Sequence, residues 1–380
     1  MKPFKKGRGT LSMTAITALI LTLLVTVCFA GCEMASLIPI VRDPSNGGDA
    51  IKTEPPVTTD PVTTAPITTL PEPEIIRYFH PSTGLETTEA LSVLRPVAFS
   101  VSNTAYALPQ FGIGDSDILF EFPIENGATR LVMMTSDYAK LEKIGPIRST
   151  RSYIADILAS FDAMQVFAGT SDTSASVIFE KYDTLDYLTQ NLQSLCYRDT
   201  SRIMPHNLMT TGSLVSSEVK RLGYRTEIAD AFALPYIFPE LDKTALPGTT
   251  PCSELRLTYS ASHNASFTYN PETGKYARYQ LGEAHLDGNN GEQIAFSNVL
   301  ILFSDSATYE TANGTEFALT LSGGTGILVT GGTESEITWT FTDGALAMYD
   351  AEGNPLTVNR GSSYVGFVKV SDKSAVQIIR

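Results

Sequence analysis

Apolar residues follow two rhythms along this chain, and the change between them near residue 250 divides its folded part. Between about 90 and 240, strand-like runs are mixed with runs of helical period. Val97-Ala98-Phe99-Ser100-Val101-Ser102-Asn103, Asp117-Ile118-Leu119-Phe120-Glu121-Phe122 and Thr129-Arg130-Leu131-Val132-Met133-Met134 read as strands. Ile154, Ile157, Leu158 and Phe161 fall at i, i+3, i+4 and i+7, which predicts a helix over 151–161. A buried strand is expected over 163–168 and a helix over 171–182. Thr211 is placed to cap a further helix that stops at Gly223. After Pro251 the helical period disappears. Strands are predicted over 255–259, 265–269, 276–280, 299–303 and 337–341, separated by Gly- and Asn-rich turns that tolerate positive φ. The fold class expected is α+β: a mixed α/β domain over 90–245, then a mostly antiparallel β domain over 250–380.

The N-terminus carries an address. Lys2, Lys5, Lys6 and Arg8 precede an apolar run over 15–30 that closes on Phe29-Ala30-Gly31-Cys32. A basic start, a short apolar core and small residues at its end describe a secretory signal peptide over 1–31. The run is short for a membrane span, the less favoured reading. Ala30-Gly31-Cys32 resembles the lipobox of bacterial lipoproteins. That resemblance implies cleavage before Cys32, a diacylglycerol on its sulfur and a palmitate-labelled membrane anchor on the extracytoplasmic face of the cell membrane. Ordinary secretion with Cys32 as a free thiol is the alternative. Residues 32–80 form a linker in which Pro56-Val57-Thr58-Thr59, Pro61-Val62-Thr63-Thr64 and Pro66-Ile67-Thr68-Thr69 repeat every five residues. Proline fixes φ and removes backbone donors, so an extended stalk is expected.

Composition narrows the classes. With 43% hydrophobic and 18% charged residues the chain can build sizeable cores and is not wholly disordered. A net charge of −14 argues against nucleic acid as a partner, since phosphate binding needs an excess of cations. The four cysteines contain no C-x-x-C, which excludes a zinc ribbon or thioredoxin-like site. Cys196 and Cys252 are either bridged or, slightly favoured, two buried thiols. His80, His263 and His285 stand alone, so no metal and no cofactor is expected. For 287–292 a plain turn is favoured over a calcium loop, because the oxygen spacing fails the EF-hand pattern.

The informative chemistry is Arg148-Ser149-Thr150-Arg151 just ahead of a predicted helix. A helix N-terminus is electropositive, so two arginines there make sense if an anion sits between them. The candidate pocket comprises Asn103, Asp117, Glu121, Arg130, Arg148, Arg151, Arg198, Arg202 and His206. Its anion is either an external ligand, such as a phosphate or sugar carboxylate, or an internal carboxylate from Asp117 or Glu121. His206 competes between a general-acid or ligand role and a favoured capping role. Ser171 lacks a G-x-S-x-G frame and is a weak nucleophile candidate.

In order along the chain stand Arg95-Pro96-Val97-Ala98, Asn103, Ser116-Asp117-Ile118-Leu119-Phe120-Glu121, Thr129-Arg130 and Ile144-Gly145-Pro146-Ile147-Arg148-Ser149-Thr150-Arg151. Tyr197-Arg198-Asp199, Arg202 and Pro205-His206-Asn207-Leu208 follow. Tyr276-Ala277-Arg278-Tyr279, Asp287, Asn298-Val299-Leu300-Ile301 and Thr338-Trp339 complete the series. The pattern resembles the YerB-like bacterial lipoprotein family (domain of unknown function 3048), with an N-terminal part over 90–245 and a C-terminal part over 250–380. The resemblance implies a cell-envelope lipoprotein and no established reaction. The function expected is a binding module for an anionic glycan or phosphate of the wall, or for an envelope protein. The alternative is a phosphoryl or glycosyl transferase, or a hydrolase, acting on a lipid-linked phosphate or wall glycan. Whether the protein is an enzyme stays open at this point.

Overall fold

The alternating runs form strands that pair across the expected boundary. The computed structural model describes residues 76–380, apart from 242, 245–247, 249, 312 and 313. The leader, Cys32 and the Pro/Thr repeats lie outside the described residues. Before the boundary the main strands are β1 (Val97–Ser102), β2 (Ile118–Pro123), β3 (Thr129–Thr135), β4 (Met164–Phe167) and β5 (Thr184–Asp186). The helices α1 (Ser152–Ala159), α2 (Asp172–Lys181) and α3 (Gly212–Leu222) lie among and after them. After the boundary come β6 (Glu254–Ser260), β7 (His263–Asn270), β8 (Lys275–Gln280), β9 (Asn298–Thr311), β10 (Gly314–Thr320), β11 (Gly324–Thr330), β12 (Thr333–Thr342), β13 (Ala345–Tyr349), β14 (Ser363–Lys369) and β15 (Val376–Ile379). The described residues are predominantly sheet.

One sheet of 12 strands runs β12-β11-β9-β14-β2-β3-β1-β4-β5 along its main path, continued beyond β12 by Thr250–Pro251, with β10 on β9 and β13 on β12. The seam between the two sequence halves is the parallel pair β14–β2, in which Tyr364 lies opposite Leu119 and Val365 opposite Phe120. The boundary near 245–252 therefore does not separate two sheets. Buried strands on both sides of it expose free N–H and C=O edges that pairing with each other satisfies. Glu72–Arg380 forms one compact unit.

A second sheet of six strands, built on β8-β7-β6-β15, is antiparallel throughout its described pairs. Alternation decides what each face of the large sheet meets. Val97, Phe99, Leu119, Leu131, Met133 and Val299 point toward Leu255, Leu257, Phe267 and Tyr276 of the second sheet. Ala98, Phe120, Phe122, Val132, Met134 and Phe367 point the other way, onto Tyr153, Ile154, Ile157 and Leu158 of α1. Thr211 caps α3 by accepting from Leu214 N, and Gly223 ends it in the left-handed region at φ 71°. Cys196 and Cys252 are free and buried, and burial pushes both thiols up to about 12. Asp287 N–H bonds to the Glu292 carbonyl and Gly291 N–H to Asp287, the turn expected there.

Candidate functional site

The segment 146–150 lies along the carboxyl ends of β1 and β4. Ser102 N–H donates to the Pro146 carbonyl, Arg148 N–H to Ser100 and Ala168 N–H to Arg148, at 2.9, 2.8 and 3.0 Å. These bonds carry Arg148 to the strand edge where open α/β sheets place ligands. Arg151 is the N-cap residue of α1 and gives that helix no side-chain cap. Arg130, near the start of β3, lies opposite both Ser102 and Phe122 in the sheet. By parity it shares the α1 face with Val132 and Met134.

Arg130 is 5% exposed, and its Nε and that of Arg148 are buried without a hydrogen-bond partner. Neither guanidinium has a carboxylate or hydrogen-bond partner among the described residues. Burial, with Arg148 and Arg151 close by, pulls Arg130 down to about 9. Burial and the charges of Arg151 and Arg198 also lower Arg148. Burial lowers Arg151 too, but its bidentate pair with Glu125, at 2.8 and 2.7 Å, outweighs that and leaves it raised. His206 joins the same cluster. Its Nδ1 lies 3.1 Å from Ser102 Oγ, and burial followed by Arg148, Arg202 and Arg130 lowers its pKa. Exposed Arg198 donates to Asn207 Oδ1 at 2.8 Å. A cleft of about 380 Å³ beside Arg151 is lined by Tyr153, Ser174, Tyr309 and Phe317.

The other expected pocket residues go elsewhere. Glu121 faces the second sheet, where its Oε2 accepts from Arg278 Nη2 at 2.8 Å and Tyr364 OH at 2.9 Å. Its Oε1 accepts from Asn103 Nδ2 and Thr129 Oγ1 at 2.9 and 2.8 Å. Gln280 bonds both Asn103 and Arg278, and Arg278 also meets His285, whose Nε2 lies 2.8 Å from Gln110 Oε1. Arg278 is 0% and Glu121 2% exposed at the side chain, so this network is sealed. Asp117 is also no acid of the arginine cluster. It precedes β2, roughly 20 Å along the strand from that edge at about 3.3 Å per residue. There it accepts from Ser136 N at 2.7 Å and lies 3.4 Å from His80, and burial pushes it up to about 7. Arg202 is held by the carbonyls of His206, Ala107 and Pro109 at 3.1, 2.6 and 3.2 Å. His206 caps no helix, since Thr211 caps α3. Ser171 Oγ bonds Ser174 Oγ at 2.9 Å, while His206 faces Ser102 and Thr104.

The structure thus brings together Arg130, Arg148, Arg151, Arg198 and His206, and sets Asn103 and Glu121 in a second, closed site with Arg278. Sequence reasoning missed Arg278, Gln280, His285 and Tyr364. A signal existed: Tyr276, Arg278 and Gln280 share the buried parity of β8, an odd place for a cation. Among the described residues no group of three or more His, Cys, Asp and Glu could hold a metal ion.

Comparison with known proteins matches this chain to a family. Residues 82–225 match the model of the N-terminal domain of a protein of unknown function, DUF3048, and 255–365 that of its C-terminal domain. The chain is 25% identical over 302 residues to "Putative lipoprotein YerB" of Bacillus subtilis (strain 168), covering 78% of this chain and 88% of that one. The crystal structure of the YerB protein from Bacillus subtilis superposes with a TM-score of 0.70 at 24% identity, over 80% of this chain and 99% of that one. A chain of the extent described here thus crystallises in that relative. With both parts matched in order, the chain belongs to the DUF3048 family, carrying its N-terminal and its C-terminal domain.

Proposed function

We propose that this protein is a lipid-anchored envelope protein whose body binds an anionic ligand at Arg130 and Arg148. One observation carries the reading. Three arginines are buried among the described residues, and Arg95 and Arg278 face carboxylates while Arg130 faces Arg148 and Arg151 instead. Taking an unpaired cation out of water costs several kcal/mol, about what a bound anion returns through charge-assisted hydrogen bonds of roughly 1.5–3 kcal/mol each. Glu125 pairs with Arg151, on which Glu316 also acts, and the cluster of Arg130, Arg148, Arg151 and Arg198 stays positive. Phosphate or a phosphate-bearing wall fragment fits such a site. Calorimetric titration with inorganic phosphate tests it: wild type should bind, and Arg148→Ala should bind about tenfold more weakly or worse with little change in melting temperature. No binding by wild type, together with a large loss of stability in Arg148→Ala, would mark a structural cluster instead.

The anchor is proposed at Cys32, supported by the Ala30-Gly31-Cys32 ending and by the name of the Bacillus subtilis relative, "Putative lipoprotein YerB". With that anchor, the proposed position of the body is the extracytoplasmic face of the membrane. Cys32→Ala should leave the precursor unprocessed and unlabelled by a palmitate analogue, and normal labelling of that variant would refute the anchor.

A further inference from the structure

Three of the four most exposed large apolar side chains among the described residues stand on loops beside the cationic cluster. Among the described residues four large apolar side chains are more than 60% exposed: Ile76 at 74%, Met204 at 72%, Tyr106 at 70% and Ile203 at 61%. Ile203 and Met204 stand on the loop that carries His206. The Tyr106 ring stacks on the His206 imidazole with centroids 6.0 Å apart, and His206 N–H donates to the Ile203 carbonyl at 2.9 Å. Two loops present these side chains, and Arg202 ties the loops together. Its Nη2 donates to Ala107 and its Nη1 to Pro109 on one loop, while its Nε donates to His206 on the other. The apolar rim is therefore built, not loose. His206 connects it to the cations: its Nδ1 lies 3.1 Å from Ser102 Oγ, and Ser102 lies opposite Arg130 in the sheet.

Exposed apolar side chains gathered at one site mark a surface that meets something apolar, whereas scattered ones need no explanation. Cations behind such a rim select a ligand with an anionic head and an apolar body. We propose that the anion bound at Arg130 and Arg148 is the phosphate of a lipid headgroup, with its hydrocarbon part against Tyr106, Ile203 and Met204. The inference rests on the anion-site reading above. Charge favours a single headgroup over adsorption to an anionic surface at large. The chain carries −14, and a bilayer's field reaches only about 8 Å at physiological salt, so the local cations act at contact. A tyrosine suits the boundary, because its ring is apolar and its hydroxyl wet.

The test uses the compact unit Glu72–Arg380, whose extent the crystallised relative matches, in calorimetric titrations with methyl phosphate, octyl phosphate below its micelle concentration, and octyl glucoside. Each methylene buried is worth about fourfold in affinity, so covering only two or three of them makes octyl phosphate bind about tenfold tighter than methyl phosphate or better. The exposed double substitution Ile203→Ser with Met204→Ser should remove that gain and leave methyl phosphate binding unchanged. Arg148→Ala should weaken both phosphates. Octyl phosphate binding no tighter than methyl phosphate, or a gain that survives the double substitution, overturns the lipid assignment and leaves the anion site standing. Octyl glucoside binding as well as octyl phosphate, with no effect of Arg148→Ala, shows mere apolar adsorption and also overturns it. Failure of both phosphates to bind wild type defeats the anion site itself.

Discussion

Thr129 and Arg130 are consecutive residues that serve opposite faces of one sheet, and they belong to two different polar sites. Thr129 closes the network in which Glu121 holds Arg278 between the sheets. Arg130 emerges on the α1 side, where its neighbours are other cations. In the first site both terminal nitrogens of the arginine are bonded and only Nε is unpartnered. In the second the whole guanidinium lacks a partner among the described residues. Burial is nearly equal, at 0% and 5% exposure, so burial does not separate them. Completeness does. A buried cation whose bonds are made holds a fold together, and one whose bonds are missing is a cost to the fold, which is the ground for proposing an anion there.

The sharpest way to break this comparison is to remove half of the sealed site. The piece 252–380 carries Arg278 without Glu121 and β14 without β2, so expressed alone it should be unfolded by circular dichroism or insoluble. A folded, soluble piece would show that the seam is dispensable. Next in size, Glu121→Leu strands Arg278 and should cost about 3–5 kcal/mol in a urea titration. Adding Arg278→Met to that variant should recover much of the loss, because the orphaned charge is then gone. Arg130→Met should behave in the opposite way, with stability at or above wild type and phosphate affinity down about tenfold or more. A loss as large as that of Glu121→Leu would make the two sites equivalent.

The smallest effect concerns pH. His206 has a folded-state pKa below its unfolded value, so the unfolded chain takes up the proton first. Without ligand, its contribution to stability is present above about 6.5 and is lost as pH falls from there through its lower folded-state pKa. A bound anion favours the imidazolium and reverses the preference. Sulfate, which does not itself titrate in this range, should therefore bind about two- to fivefold tighter at pH 5.5 than at pH 7.5. His206→Gln should flatten that dependence, and a flat wild-type profile would put the imidazole out of the anion's reach.

Much of this was legible along the chain. The helix at Ser152–Ala159, the α3 cap at Thr211 and the strands on both sides of residue 250 follow from local period and turn chemistry. Arg130, Arg148 and Arg151 were picked out together because local features placed each at a strand or helix end. The sealed network was not legible, and neither was the shared sheet. Glu121 and Tyr364 are 243 positions apart, and Glu121 and Arg278 are 157 apart, and nothing local encodes such a pairing. Grouping Asn103 and Glu121 with Arg130 also overlooked parity. Along a strand, neighbours in sequence point away from each other, and the period of two that revealed β3 also assigns Thr129 and Arg130 to opposite faces.

β14 lies between β9 and β2 and is parallel to both, yet the paired residues Ile118 and Ser363 stand far apart along the chain. Until residue 363 arrives, β2 is an unfinished edge that any extended segment nearby can occupy. Local contacts form early in such a chain, but the join that matters closes over more than 240 residues, and slow closure lengthens the time that edge is exposed. A premature stop between β12 and β14 would therefore leave two half-sheets with unpaired margins in place of one continuous sheet.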